Sequence, residues 1–328
     1  MNINNLIKKN GYYECKVNCF DELLLLLRPE NLELNHLMRD LRESSLTGFI
    51  REAAEENLDS EQLIFRGQCD SDWELLSSID RINNEDLHED DPINFFIKNT
   101  IEFRILNDFQ NNCDACAIQI PSDSNSLRIQ QNNSFINGIN SNSFEQWFDE
   151  PHFELAAFAQ HYGVPTRLLD WTHHPLTAVY FATSGVFKSY LNKSKENRLK
   201  YKNFAIWVFN SVFPKEMGSV QVLKVPTSIN AHASHQSGCF SLVKPSNQLF
   251  KKYETPIKIN DCFEDLEMDW RLLKIVASIE FAEQLYEICS KYNFNAGHLF
   301  RSADGAAKLT NENYLKRVFS SIYRKGAN

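Results

Sequence analysis

The sequence predicts an α+β fold, with a helical N-terminal part packed on a mixed or antiparallel sheet built largely from the second half. Three observations carry this. Apolar residues recur at helical spacing through the front of the chain. Short apolar runs with strand character dominate the back, from 204 to 276. Helices and strands are segregated rather than alternating, which disfavours a regular βαβ repeat. The composition supports a real core, since the 328 residues are 43% apolar and 12% aromatic, as in folded globular chains.

The elements follow in order. Residues 1–60 read as a helical segment: Phe20 to Leu27 is a short amphipathic run ended by Pro29, and Leu34, Leu37, Met38 and Leu41 mark a second helix. Leu63, Ile64 and Phe65 then form a short strand that Gly67 ends. Ile93 to Asn111 is helical. Residues 118–143, rich in Asn, Ser and Gln, read as a polar surface insertion that builds little core. A helix resumes near Phe144 and stops at Gly163, and Pro175 opens the next one. Strands are expected at 204–209, 220–225, 240–243, 255–259 and 271–276. Ser278 caps a helix running to Cys289, and the last helix lies near 313–322. The chain therefore divides into a helical segment (1–60), an α+β domain (61–310) and a C-terminal helix (311–328).

Charge and composition exclude several classes. With 34 basic and 43 acidic residues the net charge is −9, which argues against bulk nucleic-acid capture. Leu23 to Leu27 is closed in by Asp21, Glu22 and Arg28 and falls far short of a membrane span, so a cytoplasmic protein is expected. No glycine-rich phosphate loop and no HExxH motif occurs. The eight cysteines lack the turn residues of a zinc knuckle and are expected to be free thiols, with no metal site.

Two clusters stand out. In 157–183, AFAQHYGVPTRLLDWTHHPLTAVYFAT, the residues Gln160, His161, Arg167, Asp170, Trp171, Thr172, His173 and His174 crowd between two apolar helices. Charged groups there lie at a surface or are paired. Asp170 can accept a bidentate bond from Arg167 or Arg66. In 63–81, LIFRGQCDSDWELLSSIDR, Arg66 follows three apolar residues and precedes Gly67, a place suited to a phosphate or carboxylate. Gln68, Trp73 and Arg81 extend that surface. Further on, SHQSGCF brings Gln236 and Gly238 before a strand, and AGHLFRSADGAAKL forms a turn that docks the last helix.

These motifs resemble those of the FRG domain family. Phe65, Arg66 and Gly67 match its Phe-Arg-Gly motif, and AQHYGVPTRLLDWTHHPLTAVYFA is similar to its central signature. Gln236, Gly238 and Phe240 match a later Gln-x-Gly-x-Phe motif, and HLFRSADGAA is similar to the closing segment, with Arg301 where proline is usual. The resemblance spans roughly 60–310. It implies a link to prokaryotic, phage-directed defence. The Arg66–Gly67 pair is also similar to the early strand of NAD-dependent ADP-ribosyltransferases, where the arginine holds the cofactor. Gln236 stands where those enzymes have glutamate. On this likeness the chain is a nucleotide- or NAD-binding enzyme, with ADP-ribosyl transfer or NAD cleavage as its chemistry. Arg66, Asp170 and Gln236 would be catalytic, and Arg66, Gly67, Gln68, His161, Arg167 and Thr172 would hold NAD. The partner would be a nucleotide-like small molecule or a protein target. A non-catalytic sensor or interaction module of a defence system, and a nuclease, are the alternative readings.

Overall fold

The computed structural model describes residues 6–30, 32–45, 62–82, 92–140, 147–211, 219–224, 237–244, 249–253 and 256–326. The strands are β1 (Ile7–Lys9), β2 (Tyr12–Val17), β3 (Leu63–Gln68), β4 (Leu169–Thr172), β5 (Asn203–Asn210), β6 (Val220–Leu223), β7 (Gly238–Val243) and β8 (Leu272–Ser278). The helices are α1 (Phe20–Leu26), α2 (Leu32–Ser45), α3 (Ser78–Ile82), α4 (Pro92–Ala115), α5 (Asn125–Asn140), α6 (Glu150–His161) and α7 (Pro175–Asn192). They continue as α8 (Lys195–Lys200), α9 (Leu249–Lys252), α10 (Ile259–Asp265), α11 (Ala282–Lys291), α12 (Ala296–Phe300) and α13 (Ala303–Gly326). Among the described residues the strands form one mixed sheet in the order β1-β2-β8-β5-β3-β4-β7-β6. Only β2 and β8 pair in parallel. This is the α+β architecture that the sequence predicts.

Period-two alternation in β5 explains how both faces of the sheet are covered. Phe204, Ile206 and Val208 join the large core under α1, α2, α7, α11 and α13. Trp207 and Phe209 point the other way and pack with Ile259 and Phe263 of α10. A separate apolar cluster lies within α4, α5 and α6, around Leu106, Ile120, Trp147, Phe148 and Leu155. Among the described residues no helix is long and apolar enough to cross a membrane.

Helix α7 lies directly on β3. A Cβ added to Gly67 would sit 1.9 Å from the Ala178 carbonyl oxygen and 2.8 Å from the Ala182 nitrogen. The glycine is therefore needed for helix–strand contact rather than to end the strand, which runs on to Gln68.

Several local expectations are corrected. The N-terminal segment is not purely helical, because β1 and β2 enter the sheet there and β2 pairs with β8 from Tyr13–Leu273 to Val17–Ala277; residues 46–60 of that segment lie outside the described residues. The expected strand at 255–259 is absent from its described part, since Ile259 begins α10. Residues 169–172, where no strand is expected from the sequence, form β4. Residues 118–140 of the polar insertion carry a helix, α5, rather than a structureless surface loop. Its inward positions, Leu127, Gln131, Phe135 and Gly138, recur at helical spacing, and only one of these is a large aromatic. Phe135 stacks on Phe103 at 3.9 Å, and Gln131 donates to the Pro151 carbonyl at 2.7 Å. A few well-placed contacts dock a polar helix that composition alone reads as loop.

Candidate functional site

The site forms where the sheet parts. β3 and β4 share a single ladder pair, Phe65 with Thr172. β3 continues along β5 through Arg66, Gly67 and Gln68, while β4 continues along β7 from Thr172–Gly238 to Leu169–Ser241. A cleft of about 460 Å³ opens at this seam, within the size range of small-molecule sites.

Arg66 bridges the seam. Its Nη1 donates to the backbone carbonyl of Asp170 at 2.8 Å and lies 3.7 Å from the Asp170 carboxylate. The Arg66 side chain is 15% exposed, whereas the Asp170 side chain is 63% exposed. The buried Nε of Arg66 has no hydrogen-bond partner. Burial lowers the proton affinity of this arginine, the Asp170 charge opposes that, and the Arg81 charge reinforces it. Arg81, on α3, is exposed. Arg66 and Arg81 both line the cleft, so among the described residues the seam holds two guanidiniums and one carboxylate.

The signature stretch orients that carboxylate. Gln160, at the end of α6, donates its amide to Asp170 Oδ1 at 2.7 Å. The Thr166 hydroxyl donates to the side-chain amide oxygen of Gln160, and Thr166 is itself buried and bonded to Ser78 through its backbone NH at 2.9 Å. Thr166, Gln160 and Asp170 thus form one chain of hydrogen bonds running from the interior to the cleft.

The expected site residues divide into three groups. Arg66, Gly67, Gln68, His161, Asp170 and Thr172 all line the cleft. Gln68 and Thr172 do so with polar atoms already engaged: Gln68 donates to the Glu74 carbonyl and accepts from Trp207 Nε1, and the Thr172 hydroxyl accepts from the His174 backbone NH. Arg167 does not line the cleft. Its Nε donates to Glu102 at 2.8 Å, its Nη2 lies 2.6 Å from the same carboxylate and donates to Asn99 at 2.7 Å, and its guanidinium sits over Trp147 and Phe148. Glu102 is fully buried, so Arg167 anchors the α4–α6 core, and the pairing with Asp170 that the sequence allowed is taken by another carboxylate. Gln236 lies outside the described residues.

Sequence reasoning missed Gln160 as a site residue and left Arg81 and Trp73 outside the ligand set. It also missed the aromatic edges Phe181, Phe240 and Phe300, which line the same cleft. Gln160 sits three residues before Gly163 at a helix end, a signal that does point to a side chain held over a loop. The phenylalanines come from three distant elements; the sequence motifs contain all three, Phe240 as a motif position, but nothing local marks them as facing one cleft. Among the described residues no three His, Cys, Asp or Glu side chains cluster so as to hold a metal ion. All eight cysteines are unbridged.

An α+β protein with a basic, aromatic-edged cleft at a split sheet is the class that fold and site define. Residues 61–190 match the FRG domain model, and the chain carries an FRG domain there. No curated protein and no solved structure matches the chain significantly. The matched segment contains Arg66, Arg81, Gln160 and Asp170, whereas the edges from β7 and α12 lie beyond it.

Proposed function

We propose that the cleft binds a nucleotide-like small molecule, and that the protein is a cytoplasmic NAD-handling enzyme, by ADP-ribosyl transfer or NAD cleavage, acting in antiviral defence. The observation that carries this is the incomplete bonding of Arg66. A buried guanidinium normally has its donors filled. Here one donor meets a neutral carbonyl, the carboxylate is 3.7 Å away, and Nε has no acceptor. A phosphate oxygen at the cleft-facing edge of the guanidinium would add a close anionic partner, in the way that arginine recognises phosphate, while the buried Nε stays out of a ligand's reach.

Asp170 supplies the second half. Its carboxylate is exposed to the cleft and fixed by Gln160. It is placed to accept a ribose hydroxyl or to face positive charge developing at a sugar carbon, as carboxylates do in sugar-transfer chemistry. Exposed Trp73 and the apolar edges offer a surface for a planar ring. Incubation of the full chain with NAD labelled in the ADP-ribose moiety, in the presence of cell extract, tests the reading. Nicotinamide release, with or without label transfer to protein, is the expected result, and its loss in Asp170→Asn ties it to this site. Absence of both signals would leave binding without chemistry and favour the sensor alternative.

A further inference from the structure

We infer that the ligand carries two linked phosphates, held at a waist between Arg66 and Arg81, with a planar ring on one side and a second polar arm on the other. This rests on the nucleotide reading above. The cleft has two lobes. The larger is edged by Trp73, Phe181, Phe240 and Phe300. The smaller, about 210 Å³, is bounded by Leu76, Ser77, Ser78, Gly163 and Val164. Arg66, Arg81, Gln160 and Asp170 line both lobes, so the two cations stand at the junction rather than at either end.

That placement selects among anions. A terminal phosphate has one organic arm, so seated at the junction it would fill one lobe and leave the other to water. A bridging diphosphate carries its charge in the middle and an arm at each end. The larger lobe matches a base: the indole of Trp73 is 47% exposed, and a stacked ring would remove that apolar area from water. The smaller lobe is open at its Gly163 side, where a Cβ would meet nothing within 4 Å, which leaves room for a sugar. Two guanidiniums against one carboxylate leave a local positive excess in a chain of net charge −9, and the lowering of Arg66 proton affinity by Arg81 shows that the two charges act on one another.

Calorimetric titration of the full chain with AMP, ADP and ADP-ribose tests this. The wild-type protein is expected to bind ADP-ribose at least tenfold more tightly than AMP. Arg81→Ala should remove most of that advantage, lowering ADP-ribose affinity by a larger factor than AMP affinity. Arg81 is solvent-exposed and makes no ion pair among the described residues, so this variant should melt like the wild type. AMP and ADP-ribose binding within threefold of each other, or an Arg81→Ala loss equal for both, would overturn the two-phosphate inference, and NAD as the ligand with it, while leaving nucleotide binding in place. Failure of the wild-type protein to bind any of the three would overturn it together with the nucleotide reading.

Discussion

Arg66 and Arg167 are both half-enclosed by apolar residues, yet their partners assign them different work. Arg167 meets a fully buried carboxylate with two nitrogens and a backbone NH. Glu102→Gln should therefore leave a buried guanidinium without its counter-charge and destabilise the protein by about 3–5 kcal/mol, read from urea unfolding. Arg66 hydrogen-bonds the Asp170 backbone and only approaches its carboxylate, at 3.7 Å, so Asp170→Asn leaves that hydrogen bond in place. Because the Asp170 side chain is mostly exposed, this variant should lose no more than about 1 kcal/mol while its activity falls. The sequence made Arg66 and Asp170 legible as a pair, since each stands in a polar break within an apolar frame. It did not separate Arg66 from Arg167, because Glu102 sits 65 residues away on a helix whose pattern gives no sign of a buried charge.

At the scale of elements, contact between β3 and α7 determines what Gly67 can become. Gly67→Ala places a methyl group against backbone atoms of α7 that cannot rotate away. The expected cost is at least about 3 kcal/mol from overpacking, seen as a lowered melting temperature even before ligand is added. A melting temperature equal to wild type would mean that the glycine serves ligand access instead. Helix α5 gives a second test. Deleting 118–140 removes Ile120 and Phe135 from the Trp147 cluster and should broaden or abolish the cooperative urea transition; an unchanged midpoint would make α5 peripheral. β5 was legible because Phe204 to Phe209 is an unbroken run of apolar residues between polar ends. β2 was not, because its strand state depends on pairing with β8 some 260 residues later. α5 was not, because polar composition hides four docking positions.

For the molecule as a whole, the FRG segment supplies the charged waist and two of the aromatic edges, Trp73 and Phe181, and the chain beyond it supplies the other two, Phe240 on β7 and Phe300 on α12. The turn after α12 holds Arg301 in the left-handed region, at φ 40°, and Lys308 of α13 packs over the Phe300 ring at 4.1 Å. The cleft is thus assembled from segments far apart in the chain, which explains why the signature motif predicts its floor and only part of its rim. Binding of ADP-ribose by the wild-type protein and by Arg66→Lys, measured side by side with their melting temperatures, decides whether this seam is a ligand site. Lysine keeps the charge and loses the planar fork, so affinity should fall at least tenfold, about 1.4 kcal/mol, with the two proteins melting within a few degrees of each other. Equal affinity in the two proteins, or equal weak binding accompanied by a large drop in melting temperature, would contradict it and make Arg66 a strut that closes the sheet.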